Sequence, residues 1–262
     1  MHSTASSSSS MKSLSIKPQQ TLPSHHPFKE SARKNIEMKS IQDPSLELFD
    51  IDCNLTHDDL RDNVIALIEQ SVAVGVKEML VPGSNIEDSQ RCIELCRQHP
   101  TQLFPTAGVH PYFARTTPSE VELSALKRLV EIDDVRAVGE CGLDYSPGFP
   151  ERILQMKWFA EQLMMACAIK KPLFLHQRLA HQDFTSLIDR TIEESNGYFP
   201  PAVVHCFTGN EEELKAYIAR GDDWYIGITG YICKKEGAAL KGMVKHRQTR
   251  LTWGFPNVDR LN

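Results

Sequence analysis

The sequence predicts an α/β fold, a TIM-type (β/α)8 barrel whose eighth strand and C-terminal helices are incomplete. Seven short apolar segments alternate with amphipathic helical segments along residues 46–245, which indicates a parallel sheet covered by helices. An open doubly wound sheet fits this alternation equally well. However, metal-capable residues end three consecutive apolar segments, at Glu140, His176 and His205. Only a closed barrel brings all C-terminal strand ends to one mouth, so these residues favour the barrel.

The strands are predicted from short apolar runs that end at glycine, proline or polar residues. Proline after His110 stops the third strand and fixes the histidine at its mouth. The predicted strands cover residues 48–53, 76–81, 103–109, 135–139, 172–175, 202–204 and 224–228.

Helices are predicted where apolar residues recur at helical spacing. Ser119 and Glu122 fit a capping box at the start of the third helix, and Asn196-Gly197 fits the end of the fifth. The predicted helices cover residues 58–74, 85–98, 119–132, 151–169, 184–194, 211–220 and 237–245.

Residues 1–45 are predicted to be a disordered tail, because a serine run is followed by polar residues without periodicity. A transit peptide is the alternative, but the first arginine is Arg33. Residues 246–262 are expected to form an atypical C-terminal tail. No run approaches the roughly 20 apolar residues of a membrane span. We therefore expect no membrane contact and a cytoplasmic location, with a nuclear or organellar one left open.

The formal net charge of −5 is unevenly distributed. Residues 1–47 hold six basic and four acidic residues, and residues 234–262 hold seven and two. The remaining body, 48–233, holds 16 basic and 28 acidic residues. A protein that coats duplex DNA has a broad basic face, which this body lacks. If the substrate is a nucleic acid, we expect it to bind in a local pocket where a metal neutralises phosphate.

Glu140, His176 and His205 are candidate metal ligands. One carboxylate and two imidazoles suit zinc or manganese, and carboxylate-rich variants suit magnesium. Such a divalent ion lowers the pKa of bound water and polarises a phosphoryl or carbonyl oxygen. The alternative for each histidine is a local hydrogen bond.

Three further residues are candidates at the same mouth. Asp144 can orient a ligand histidine or bind a metal-bridging water, and His110 ends the third strand. Arg178 follows His176 by two residues, where it can hold an anionic substrate oxygen. A loop cap for Asp144 and a surface salt bridge for Arg178 are the alternatives.

Five segments together resemble the TatD family of metal-dependent deoxyribonucleases, and the resemblance covers about residues 48–245. They are Gly-Val-His-Pro at 108–111, Gly-Glu-Cys-Gly-Leu-Asp-Tyr at 139–145, Pro-Leu-Phe-Leu-His at 172–176, Val-His-Cys-Phe-Thr-Gly at 204–209 and Tyr-Ile-Gly-Ile-Thr-Gly at 225–230. The resemblance implies an amidohydrolase-type TIM barrel that hydrolyses DNA phosphodiesters with a divalent ion, often as a 3′–5′ exonuclease on single strands.

The resemblance also implies roles for individual residues. Glu140, His176 and His205 would be metal ligands, and Glu140, His110 and Asp144 would form the catalytic group. Asn54 belongs to an Asn-Leu-Thr segment shared with the TatD branch, and with Arg178 it is expected to bind single-stranded DNA.

Two departures from the family pattern concern the metal site. Many relatives carry a His-x-His pair on strand one, where this chain has Asp52 and Asn54, although Asp52 can still reach an ion. The family's eighth strand ends in Glu-Thr-Asp, whose aspartate is a metal ligand and candidate general base. No such segment follows Val244, and Asp259 is poorly placed to replace it.

A truncated or altered C-terminus would explain the second departure. It would leave the edges of strands one and seven exposed. Loss of a general base costs about 10²–10⁴ in rate, so impaired DNA hydrolysis is expected.

Two other functions stay open at this point. One is a metal-dependent hydrolase of small-molecule amides or esters, because a metal-bound hydroxide serves either reaction. The other is a catalytically inactive product that binds nucleic acid or a partner, and the basic C-terminal segment is its only support. Release of nucleotides that depends on Glu140 would distinguish them.

Overall fold

The computed structural model describes residues 48–245 and 251–252. These residues form one sheet of eight strands whose order in space is their order in the chain, and every ladder is parallel. The strands are β1 (Leu48–Asp50), β2 (Val76–Val81), β3 (Leu103–Ala107), β4 (Ala137–Asp144), β5 (Leu173–Arg178), β6 (Ala202–Val204), β7 (Trp224–Gly227) and β8 (Leu251–Thr252). The predicted parallel α/β fold is confirmed.

The α-helices of the described residues lie between successive strands. They are α1 (Val64–Ala73), α2 (Ile86–Gln98), α3 (Glu120–Val130), α4 (Arg152–Ile169), α5 (His181–Glu194), α6 (Glu211–Ile218) and α7 (Ala238–Lys245). The predicted capping box of α3 is present, since Oγ of Ser119 accepts from the Glu122 amide and the Glu122 carboxylate accepts from the Ser119 amide. Both Asn196 and Gly197, after α5, have left-handed backbone conformations.

The sheet curls into a barrel. Inward-facing apolar residues from the first six strand segments form one buried cluster, which an open flat sheet would keep apart. Its members are Ile51, Leu80, Phe104, Ala137, Phe174 and Val203. A larger core lies between the sheet and its helices, where for example the rings of Phe159 on α4 and Phe184 on α5 stack with centroids 5.0 Å apart.

The edge strands of the described sheet are β1 and β8, not β1 and β7 as expected. The eighth strand is present but only two residues long, and it pairs with β7 at Ile226 and Gly227. Within the described residues, no ladder joins β8 to β1. A cleft of about 380 Å³ lies between the residues of β1 and those of β7. The predicted incompleteness of the eighth strand stays a prediction, because the residues on both sides of Leu251 and Thr252 lie outside the described part of the chain.

Strands β4 and β5 run further than predicted, so Glu140 and His176 lie inside strands rather than after them. The pairing of the two strands continues from Cys141 to Asp144. Gly139 and Gly142 have φ angles of +139° and +147°. A Cβ on Gly139 would overlap the Phe174 carbonyl oxygen, and one on Gly142 would overlap that of His176. These glycines, which resemble strand ends in the sequence, instead allow a bulged strand to approach its neighbour closely.

Two predicted segments lie mostly outside the described residues. They are the tail at 1–45 and the C-terminal segment at 246–262, of which the structure describes Leu251 and Thr252. None of the described helices combines the length and the apolar character that crossing a membrane requires.

Candidate active site

Six ionisable side chains meet at the C-terminal ends of the strands, which is where TIM-barrel enzymes place their active sites. They come from five of the strands or from the residues that directly follow them. They are Asp52 after β1, His110 after β3, Glu140 and Asp144 on β4, His176 on β5 and His205 after β6.

Glu140 lies at the centre of the group. Its Oε1 atom is 2.7 Å from Nε2 of His205, 3.1 Å from Nδ1 of His176 and 3.4 Å from Nε2 of His110. The Glu140 residue is 8% exposed. Three imidazoles thus converge on one carboxylate oxygen, and the three residues expected to bind a metal are brought together.

The second ring nitrogen of His176 faces Asp144. Nε2 of His176 lies 3.0 Å from Oδ2 of Asp144, and the Asp144 residue is 2% exposed. Oδ1 of Asp144 accepts from the amide of Ser146 at 2.8 Å. Both oxygens of this buried carboxylate are therefore held, and Asp144 lies behind His176 as seen from Glu140.

The second ring nitrogen of His205 faces Asp52. Nδ1 of His205 lies 3.3 Å from Oδ2 of Asp52, and the thiol of Cys206 donates to the same oxygen at 3.0 Å. The His205 ring stacks on Phe174 with centroids 4.4 Å apart. The contact of Cys206 was not anticipated from the sequence, where it is one apolar neighbour of the histidine.

His110 is fixed by the turn that follows it. Its Nδ1 accepts from the amide of Tyr112 at 3.1 Å, in the short 3-10 helix Pro111–Phe113. Since Nδ1 is an acceptor, the neutral ring carries its proton on Nε2, the atom that faces Glu140. His110 thus presents an N–H donor to the site. As predicted, the strand ends before Pro111, which begins the turn that holds His110.

Two glutamines of α4 hold the backbone beneath the site. Oε1 of Gln155 accepts from the Asp144 amide and its Nε2 donates to the Asp144 carbonyl, both at 2.8 Å. Likewise, Oε1 of Gln162 accepts from the Val109 amide at 2.7 Å, and its Nε2 donates to the Val109 carbonyl at 3.0 Å. Sequence reasoning missed this pair. Its signal is two polar residues seven apart, hence about two turns, on the buried face of a predicted helix.

The electrostatics of the group follow from burial and from opposite charges in contact. Burial acts to raise the pKa of Glu140, but His205 and His110 hold it well below its usual value. Burial acts to lower the pKa of His205, but Glu140 and Asp52 raise it well above its usual value. Burial also acts to lower the pKa of His176, but hydrogen bonds to Asp144 and Glu140 raise it above its usual value. Burial lowers the pKa of His110 to about 4.

These side chains fit a divalent cation. Three carboxylates, those of Asp52, Glu140 and Asp144, favour positive charge in the mouth, which agrees with the raised pKa values of His176 and His205. Ligand atoms of His110, Glu140 and His176 lie within 4.8 Å of one another, as do those of Asp52, His205 and Cys206. Imidazole nitrogens with carboxylate oxygens are a donor set for zinc or manganese.

A cleft of about 290 Å³ opens beside the two histidines His176 and His205. Arg178, which was expected to bind substrate, lines it. Asn54, the other residue with that expected role, is exposed, with its Nδ2 3.5 Å from Oδ1 of Asp52. The cleft is further lined by Gln177, Cys206, Thr208, Thr229, Tyr231 and Lys234.

Aromatic rings lie beside His110. The ring of Phe149 is 6.1 Å from that of His110 and 5.7 Å from that of Tyr112, between centroids. The guanidinium of Arg115 lies 4.6 Å from the Tyr112 ring centroid. Phe149 and Tyr112 are both partly exposed, so the mouth has an aromatic flank.

Comparison with known proteins identifies the family of the chain. Residues 49–251 match the model of the TatD related DNase family. The 3′–5′ ssDNA/RNA exonuclease TatD of Erwinia tasmaniensis is 37% identical over 198 residues, which are 75% of this chain and 74% of the relative.

Two solved structures share the fold. An uncharacterized amidohydrolase from Saccharomyces cerevisiae is 27% identical with a TM-score of 0.68, over 79% of this chain and 74% of the other. A TatD homologue from Escherichia coli K12 is 24% identical with a TM-score of 0.67, over 75% and 73% of the two chains.

Proposed function

This chain belongs to the TatD related DNase family of hydrolases, and we propose that it hydrolyses phosphodiester bonds of single-stranded DNA from the 3′ end with a divalent metal ion. One observation carries the proposal, the convergence of His110, His176 and His205 on a single carboxylate oxygen at the barrel mouth. The relative from Erwinia tasmaniensis, named an ssDNA/RNA exonuclease, supports the substrate class.

Glu140, His176 and His205 would hold the ion. His205 offers Nε2 and His176 offers Nδ1, the two ring nitrogens that face Glu140. Magnesium, manganese and zinc are the candidates, and two imidazoles favour manganese or zinc. When bound, such an ion lowers the pKa of a water molecule and polarises a phosphoryl oxygen.

His110 and Asp144 would support the reaction in different ways. The lowered pKa of His110, about 4 because of burial, keeps its ring neutral near pH 7 with the proton on Nε2. That N–H can donate to a phosphate oxygen placed beside Glu140. Asp144 contacts His176 rather than the open mouth, so we assign it as a positioning residue for this ligand.

Substrate binding would use the cleft beside the site. Arg178 and Lys234 line it, and both are exposed there. Their cations suit the phosphates that follow the reacting one. Phe149 and Tyr112 offer rings on which a base can stack, a common means of holding single strands. The family match does not favour the amide or ester hydrolase or the inactive binding product.

The test is metal-dependent release of nucleotides. A 5′-labelled DNA oligonucleotide should shorten from its 3′ end with manganese, magnesium or zinc, and a chelator should stop the reaction. Glu140→Ala should abolish it, whereas Glu87→Ala, on the exposed face of α2, should not. An RNA oligonucleotide of the same sequence compares the two nucleic acids.

Two results would contradict the proposal. One is absence of nucleotide release with every ion, and the other is equal activity of the Glu140→Ala protein. Slow turnover stays a prediction that the same assay measures.

A further inference from the structure

Asp52 contacts the back of a proposed metal ligand. Its Oδ2 lies 3.3 Å from Nδ1 of His205, across 153 residues of sequence. The opposite ring nitrogen, Nε2, faces Glu140 at 2.7 Å. The side chain of Asp52 is 20% exposed and that of His205 is 4% exposed, so this contact is largely shielded from water.

The arrangement at His176 is the same in kind. One ring nitrogen of His176 faces Glu140 and the other faces Asp144. Each of the two histidines thus has Glu140 in front of it and a separate carboxylate behind it. A carboxylate behind a ligand histidine sets which nitrogen carries the proton and which way the ring points.

Cys206 holds the Asp52 carboxylate in place. Its thiol donates to the same Oδ2 atom at 3.0 Å. The backbone of Cys206 has a φ of +46°, a conformation that non-glycine residues seldom adopt. Oδ2 of Asp52 therefore has two partners, and the side chain is directed at His205 rather than free to rotate.

We propose that Asp52 is a positioning residue that accepts the Nδ1 proton of His205 and so presents the Nε2 lone pair to the ion. This inference rests on the proposed function, because it assumes an ion beside Glu140. The donors Asp52, His205 and Cys206 could instead bind an ion of their own. His205 would then bridge two ions through both nitrogens, without a ring proton.

The test measures metal affinity rather than activity. Cobalt or manganese is titrated into the full chain, and binding is followed by calorimetry. Asp52→Ala should weaken binding about 10- to 100-fold, and Asp52→Asn should recover part of this loss because its amide oxygen accepts the same hydrogen bond. The matched control is Asp134→Asn, the same charge change at an exposed residue that precedes β4, at the opposite end of the barrel, which should leave affinity within about threefold.

A second measurement reports the hydrogen bond itself. In the zinc-loaded protein, nuclear magnetic resonance of the histidine rings should show a slowly exchanging N–H on Nδ1 of His205. The signal should persist in Cys206→Ser and disappear in Asp52→Ala. Circular dichroism of Asp52→Asn and Asp52→Ala shows whether both variants remain folded.

Three results would overturn the inference. They are unchanged affinity of folded Asp52→Ala, equal losses for Asp52→Asn and Asp134→Asn, or a second ion per chain that Cys206→Ser removes. Failure of the proposed function looks different, since a wild-type chain with Asp52-dependent ion binding and no nucleotide release would contradict only the nuclease assignment.

Discussion

Oε1 of Glu140 lies 2.7 Å from Nε2 of His205, the nitrogen that we propose binds the ion. Burial opposes a charged His205, but Glu140 and Asp52 raise its pKa well above the usual value. The pKa of His176 is also raised, by its hydrogen bonds to Asp144 and Glu140 acting against burial. A ligand imidazole must lose its proton before it binds an ion.

Metal binding should therefore release protons and strengthen as the pH rises. We expect proton release on metal binding near pH 7, measured by calorimetry in two buffers of different ionisation enthalpy. The His110→Ala protein should release as many protons per ion as the wild type, because the pKa of about 4 leaves His110 neutral in this range. An affinity that stays constant between about pH 6 and 8 would contradict the expected coupling.

The two glutamines of α4 should separate binding from turnover. Gln155→Leu strips two hydrogen bonds from the buried backbone of Asp144, which should cost about 2–5 kcal/mol of unfolding free energy. It should also weaken metal binding, because Asp144 holds His176. Gln162→Leu should destabilise the fold by a similar amount but lower turnover at constant metal affinity, since Val109 precedes His110.

Urea unfolding and metal titration of both variants measure these effects. Equal losses of metal affinity in Gln155→Leu and Gln162→Leu would show that each acts only by loosening the barrel.

Phe149→Ala should weaken binding of a substrate that has a base to stack. Base stacking on an aromatic ring is worth about 1–3 kcal/mol, so KM for a DNA oligonucleotide should rise about 5- to 150-fold. For an oligonucleotide with an abasic 3′ residue, Phe149→Ala should change KM little, because that substrate has no terminal base to stack. Tyr198→Ala is the control, because this exposed ring precedes β6, at the opposite end of the barrel. Equal effects on normal and abasic substrates would rule out stacking of the terminal base.

Arg178→Gln should reduce the salt dependence of DNA binding. Each phosphate contact on a single strand contributes about 0.7 to the slope of log K against log salt. The variant should lose about that much slope, measured by fluorescence anisotropy with the inactive Glu140→Ala protein as background. Arg190→Gln, on the exposed face of α5 beside Glu194, removes the same charge away from the cleft. Identical slopes for the two variants would place the phosphates elsewhere.

The alternation of strands and helices was predictable because buried parallel strands and amphipathic helices differ in their apolar spacing. The same spacing placed Glu140, His176 and His205 at the barrel mouth. Strand ends were less predictable. Gly139 and Gly142 resemble stops, and only the approach of β5 to β4 shows that the strand continues through them.

Contacts between residues far apart in the chain could not be predicted from the sequence. The sequence left open whether Asp52 reaches an ion, and its position behind His205 depends on the curl that brings β1 near β6. The backbone contacts of Gln155 and Gln162 depend on how α4 lies against two strands. Periodicity shows that a residue is buried, but it does not show which backbone group that residue meets.

The order of the strands has a consequence for how the protein is made. Each strand pairs with its neighbour in the chain, so each new βα unit can add to the preceding one during synthesis. The contact between Asp52 and His205 is different, because it joins residues that are 153 positions apart in the chain. We expect a nascent chain to build most of its sheet before the last proposed ligand leaves the ribosome. The ability to bind the ion would thus arrive late, after much of the scaffold has formed.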